Sequence, residues 1–141
     1  WRDGVICVCD SYTSFLNHGH AGIVAAAPHY YSTIEANPNK GVQVVRGDWP
    51  SRFKPRVYQA GVISTSVAQD QKAAKKAASF LEKPYSLLST LTTTDTFYCS
   101  QLVYQAYRLG AGVSLPHGLP GIITPSDLLH AGATEVTYRY E

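Results

Sequence analysis

Cys99 stands in DTFYCSQLVYQAYRLG at the predicted start of an amphipathic helix, and His20 opens an apolar strand in GHAGIVAAA. A thiolate nucleophile needs surroundings that lower its pKa and an imidazole with which to exchange protons. A helix start supplies the first through its unsatisfied amides and macrodipole, and the amide of Cys99 is itself suited to holding an oxyanion. His20 is flanked by small residues, so at a sheet edge its ring is free to face the thiol. The pair implies cysteine-hydrolase chemistry. A third group must fix the orientation of the base. Glu35, in STIEA near the end of the next strand, is the candidate, because adjacent antiparallel strands can bring its carboxylate to the imidazole.

Other residues compete for these roles and fit them less well. Ser100 follows Cys99 but lacks the GxSxG setting of a hydrolase serine, and one helical step turns it away from the sheet. His18 and His20 share a face of an extended strand and would make half a metal site, yet no second cluster of Asp, Glu or His completes it. No metal and no organic cofactor is expected. His29, His117 and His130 fall in turns or near the tail and read as solvated. The three cysteines cannot all pair within one chain, and their spacing is unlike a zinc site. In VICVC the alternation puts Cys7 and Cys9 on one strand face, where both are expected to pack as small apolar residues.

The elements that must position these groups follow from periodicity and turn signals. Val5 to Cys9 reads as a strand and 10–18 as a polar turn or short helix. Strands are expected over His20 to Ala27, Tyr30 to Ala36 and Val42 to Val45, the last two joined by the turn NPNKG. GDWPSRFKP reads as a loop, Arg56 to Ile63 as a strand, and Ser64 to Ser66 as an N-cap. A helix should then run to about Leu81, with Val67, Ala74, Ala77, Ala78 and Leu81 as its apolar stripe and its lysines solvated. Lys83 to Thr94 is a Ser and Thr-rich loop, and Thr94, Asp95 or Thr96 is the expected cap for the next helix. There Cys99, Leu102, Val103 and Ala106 share the face that packs on the strands. A short helix capped by Thr124 starts at Pro125, and a last strand covers Glu135 to Tyr140.

At 141 residues, with 45% hydrophobic and 16% charged residues, one compact domain over 1–141 is the expectation. The net charge of +2 and the scattered Lys and Arg give no stripe for a nucleic-acid partner. The longest apolar run, 21–27, is too short to span a bilayer, and no transmembrane segment is expected. The sequence contains no methionine and begins at Trp1, which fits a processed, exported protein of the cell envelope, periplasm or extracellular space.

Taken in order, DGVICVCDS, GHAGIV, STIEA, KPYS, FYCSQLVYQAY and ITPSDLL resemble the circularly permuted branch of the NlpC-like cysteine peptidases in the papain-like superfamily, of the YiiX and YycO type. FYCSQLVYQAY is the most specific piece. The resemblance implies an α+β fold, a small antiparallel sheet or half-barrel packed against the helix that bears the nucleophile. It implies Cys99 as nucleophile, His20 as base and Glu35 as the orienting residue. KPYS is similar to the tyrosine segment beside the active site of unpermuted relatives, which makes Tyr85 a candidate for substrate contact or oxyanion support. The permutation accounts for His20 preceding Cys99.

The resemblance also frames the substrate. Unpermuted relatives mostly cleave peptide bonds in bacterial cell-wall stem peptides, so a peptide or acyl substrate, with peptidoglycan among the candidates, is expected. Permuted relatives include lipid-directed acyltransferases that typically use a second histidine where this chain has Glu35. A non-catalytic module that holds a peptide or lipid in the same groove is the alternative from another class, and a toxin aimed at competing cells is a further one.

Overall fold

A computed structural model describes residues 1–10, 19–53 and 56–140. Among these residues, six strands form one antiparallel sheet: β1 (Ile6–Cys9), β2 (His20–Val24), β3 (Ser32–Asn37), β4 (Gly41–Arg46), β5 (Val57–Val62) and β6 (Thr134–Tyr140), in the spatial order β4-β3-β2-β1-β5-β6. The α+β architecture is the expected one, an open sheet with helices against it.

Alternation along the strands gives the sheet two buried faces. On one, Ile6, Val8, Ala21, Ile23, Ile34 and Ala36 pack against the helices α2 (Val67–Ala78) and α3 (Cys99–Ala106). On the other, Cys7, Cys9, Val24 and Val57 pack against Trp49 and Phe53. Trp49 belongs to a one-turn helix, α1 (Trp49–Arg52). This corrects the reading of GDWPSRFKP as loop throughout. Asp48 caps the turn by accepting from the Ser51 amide at 2.9 Å, and Pro50 supplies a φ suited to a first helical turn.

Two further expectations shift. The second helix ends at Ala78 rather than Leu81, because Phe80 drops into the core against Phe97, ring centroids 4.5 Å apart, and the chain then bonds to the start of β4 through the Glu82 amide and the Val42 carbonyl. Val67, the first residue of that helix, is exposed; the buried side is made by Asp70, Ala73, Ala74 and Ala77. Asp70 is held there by Arg2 at 2.7 Å, Thr65 at 2.5 Å and the Tyr107 hydroxyl at 3.1 Å. The third helix starts later than a cap at Thr94, Asp95 or Thr96 would allow. Its N-cap position is Tyr98, whose amide donates to Gln101 Oε1, while the Thr96 hydroxyl pairs with Ser89.

The polar turn or short helix expected over 10–18 lies mainly outside the described residues. Near the tail the Thr124 hydroxyl accepts from the Asp127 amide at the start of a 3-10 turn, Ser126–Leu129.

Candidate active site

The sheet has one end at which β1 finishes, β2 begins and α3 begins. Cys9 lies directly across from His20 in the antiparallel register, so the first residue of β2 sits at that rim. Gly19, at φ +95°, makes the entry possible: a Cβ there would meet the Cys9 carbonyl oxygen at 2.2 Å. Cys99 is the first residue of α3 and belongs to the helical-face core. His20 and Cys99 therefore come from opposite faces of the sheet and meet over its end, joined by a side-chain hydrogen bond.

Glu35 completes the contact. Its Oε1 lies 2.8 Å from His20 Nε2, with both side chains fully buried. The approach depends on Gly22, two residues along β2 on the same face as His20. A Cβ at Gly22 would meet Glu35 Cγ at 2.9 Å and Trp49 Cζ3 at 3.2 Å. With Nε2 taken by the carboxylate, Nδ1 is the ring nitrogen left for the thiol. The structure thus brings Cys99, His20 and Glu35 into one hydrogen-bonded line.

Four neighbours in this site have no counterpart in the sequence reading. Arg52, the last residue of α1, forks onto Glu35 with Nη1 at 2.6 Å from Oε2 and Nη2 at 3.2 Å from Oε1. Thr33 donates its hydroxyl to Glu35 Oε2. Trp49 stacks on the His20 ring, 5.6 Å between centroids and 15° between planes, and Phe53 closes the other contact at 5.9 Å. The available signal was Asp48 followed by Pro50, a helix-start pattern that would have put Trp49 and Arg52 on a defined turn.

These contacts set the protonation states. Burial on its own disfavours the imidazolium, but hydrogen bonds to Cys99 and Glu35 and the charges of both outweigh it and raise His20 to about 9. Burial likewise opposes ionisation of Glu35, yet its bonds to His20 and Arg52 bring its pKa down to about 2. At neutral pH the site therefore holds an imidazolium and a carboxylate. Cys7 differs: burial, reinforced by the Glu35 charge, pushes its thiol well above the ordinary range and keeps it neutral.

Tyr85 is half-buried and forms a single parallel bridge with Phe97, two residues before Cys99. Burial first, then the Cys99 charge, raises its pKa, so it remains a hydroxyl donor. It also borders an open hollow of about 600 Å³ between the β3–β4 turn and the segment after α2. Ser100 is buried and donates to the Ile123 carbonyl at 2.7 Å, which fixes the segment beside the helix start. Cys7 and Cys9 are buried, and neither is part of a disulfide. His18, half of the conceivable metal pair, lies outside the described residues, and among those described no group of three or more His, Cys, Asp or Glu side chains is arranged to hold a metal ion.

Residues 10–127 match the family described as permuted papain-like amidase enzymes, the YaeF/YiiX, C92 family. The chain belongs to this family. The family's description is of papain-like amidase enzymes, and the resemblance to permuted papain-like proteins of the YiiX and YycO type, drawn from the sequence motifs, holds. It is 28% identical over 136 residues to the uncharacterized protein YycO of Bacillus subtilis strain 168, covering 93% of this chain and 53% of that protein. The chain thus spans about half the length of the curated relative it matches. In fold it is similar to a crystal structure titled as the metalloprotein yiiX of Escherichia coli O157:H7, with TM-score 0.77, 17% identity, and coverage of 99% of this chain and 98% of that one.

Proposed function

We propose that this C92 enzyme hydrolyses an amide bond in a peptide, with bacterial cell-wall stem peptides as the substrate class, through a Cys99-His20-Glu35 triad and a thioester intermediate. The observation that carries the reading is the hydrogen-bonded line from the Cys99 thiol through His20 to Glu35, wholly buried and at the start of a helix. The reactive state is the ion pair formed when the Cys99 proton resides on His20: the thiolate attacks the carbonyl carbon, and the imidazolium gives that proton to the leaving amine, which leaves a thioester and neutral His20. Neutral His20 then takes a proton from water, and the resulting hydroxide equivalent cleaves the thioester to release the acid and regenerate the thiol. The developing oxyanion falls near the Cys99 amide, which has no acceptor within α3, and the Tyr85 hydroxyl is the second donor.

The hollow beside Tyr85, between the β3–β4 turn and the segment after α2, is the place for an extended substrate to lie next to that hydroxyl. A carboxylate in the third position favours this over lipid-directed acyl transfer, whose enzymes use a second histidine there. Residues 1–141 act as one hydrolase domain, a reading supported by a single sheet with both faces covered. A cell-wall substrate would put the site of action outside the cytoplasm. No helix among the described residues is long and apolar enough to cross a membrane.

The test is the rate of iodoacetamide alkylation against pH, with the modified cysteine mapped by mass spectrometry. Selective labelling of Cys99 with an apparent pKa well below the free-thiol value of about 8.5, abolished in His20→Ala, is expected, followed by turnover of stem-peptide amides. Labelling of Cys99 no faster than Cys7 and Cys9 would replace the hydrolase triad with a binding role for the groove.

A further inference from the structure

The site as a Cys-His-Glu triad has an unbalanced charge. In its reactive form it contains two anions, the Cys99 thiolate and the Glu35 carboxylate, against one imidazolium. Both Glu35 and His20 have side chains with 0% exposure, so water does not screen the difference. An uncompensated charge in such a place is removed by taking up a proton, and the proton would go to the thiolate.

We propose that Arg52 is the positioning residue of this site, supplying through its fork onto Glu35 the second positive charge that lets thiolate and carboxylate coexist. The inference rests on the triad reading above. Its geometry is specific. Both guanidinium nitrogens reach Glu35, one per carboxylate oxygen, at 2.6 and 3.2 Å, which orients the carboxylate plane and leaves Oε1 shared with His20. The guanidinium carbon lies 5.5 Å from the centre of the Trp49 ring and 4.8 Å from that of Phe53, so the aromatic pair that stacks on His20 also seats Arg52. Its side chain is 25% exposed, which keeps the outer edge hydrated while the inner edge is dry.

Among the described residues, α3 brings Cys99 to this cluster, β2 brings His20, β1 the Cys7 and Cys9 thiols, and β3 the Thr33 hydroxyl, which also meets Arg52 Nη1 at 3.4 Å. Arg52 and His20 are the two cations among them. Arg52 touches no reacting atom. It acts on Cys99 through Glu35 and His20, by keeping the buried set neutral when the thiol is ionised.

Charge balance makes a prediction that a merely structural ion pair does not. In Arg52→Gln, the Glu35 carboxylate and His20 imidazolium balance each other, and a Cys99 thiolate becomes the unpaired charge. The alkylation profile of Cys99 should move up by at least one pH unit, making labelling about tenfold slower at any pH below both midpoints. Arg52→Lys retains the charge without the fork and should stay at the wild-type midpoint. The double variant Glu35→Gln/Arg52→Gln removes one charge of each sign, leaving thiolate and imidazolium as a neutral pair, and should label faster at pH 7 than Arg52→Gln alone. Circular dichroism and thermal unfolding establish that each variant is folded; if Arg52→Gln is not, Arg52→Met, which removes the charge and keeps an apolar stem against Trp49 and Phe53, takes its place in the same comparisons. A folded Arg52→Gln with the wild-type profile, or a double variant no faster than the single one, overturns it. Absence of selective Cys99 labelling in the wild type overturns the triad reading and this inference together.

Discussion

Gly22 leaves open the space that Glu35 crosses to reach His20. A methyl group on Gly22 would stand 2.9 Å from Glu35 Cγ and 3.2 Å from Trp49 Cζ3, and neither neighbour is free to retreat, since Glu35 is bonded to His20, Thr33 and Arg52 and Trp49 is fully buried. Gly22→Ala should therefore push the carboxylate off its line. Overpacking at a buried site of this kind costs about 1–3 kcal/mol. The expected result is a folded protein with a lowered melting temperature and slower Cys99 alkylation near neutral pH. A variant as stable and as reactive as the wild type would show that Glu35 reaches His20 by another path.

How much of this was legible in the sequence depends on distance along the chain. The alternation of VICVC and GHAGIV, the NPNKG turn and the cap at Thr124 are local signals, and the elements formed where they pointed. Cys99 at a helix start and Glu35 one strand beyond His20 were also readable, because both depend on short-range pattern and on a family order of motifs. Arg52 and Trp49 were legible only as members of a turn begun by Asp48 and Pro50, and their place beside His20 and Glu35 was not. A helix of four residues is too short to show periodicity, and its role arises from packing against β2 and β3 across the sheet face. That face is set by a parity of one residue in each strand. Asp70 was missed for a related reason: a carboxylate on a Lys-rich helix reads as solvated until Arg2, Thr65 and Tyr107, remote in sequence, are brought to it.

The paired titration of His20 and Glu35 gives the stability curve two limbs. Glu35 has a folded pKa lowered to about 2 from 4.5, by bonds that outweigh burial, so its contribution is full above 4.5 and is lost as pH falls through about 2. His20 is raised to about 9 from 6.5, again by bonds that outweigh burial, so its contribution is full below 6.5 and is lost as pH rises through about 9. Thermal unfolding across pH 2–10 should show both losses. Glu35→Gln should flatten the acid limb and His20→Gln the alkaline limb. Parallel curves for wild type and either variant would mean that the group titrates alike in the folded and unfolded chains.

Trp49 should act through its ring and not through its N–H. Its Nε1 is the buried side-chain nitrogen that lacks a hydrogen-bond partner among the described residues, while its ring covers His20 and seats Arg52. Trp49→Phe removes no hydrogen bond and keeps an aromatic plane, so its loss should be mainly that of volume. Trp49→Ala opens the His20–Glu35 bond to water as well, and truncation of a buried aromatic costs about 3–5 kcal/mol. Alkylation of Cys99 should survive in the Phe variant and fall in the Ala variant. Equal loss in both would give the indole nitrogen a role of its own.

Ser100 and Tyr85 separate structure from chemistry at the same helix start. Ser100 donates to the Ile123 carbonyl inside the core, so Ser100→Ala should lower stability by about 1 kcal/mol, leave Cys99 alkylation unchanged and leave the acyl adduct on Cys99. Tyr85 touches the chemistry from the other side. It is held next to Phe97 and feels the Cys99 charge, yet stays protonated, because burial and that charge raise its pKa. If its hydroxyl supports the oxyanion, Tyr85→Phe should leave the alkylation profile intact, since alkylation forms no oxyanion. Turnover of an amide substrate should fall by about a hundredfold or more, the scale of losing one oxyanion donor. A Phe variant that turns over at the wild-type rate would make Tyr85 a wall of the adjoining hollow, and a parallel fall in alkylation would mean that it acts on the thiolate itself.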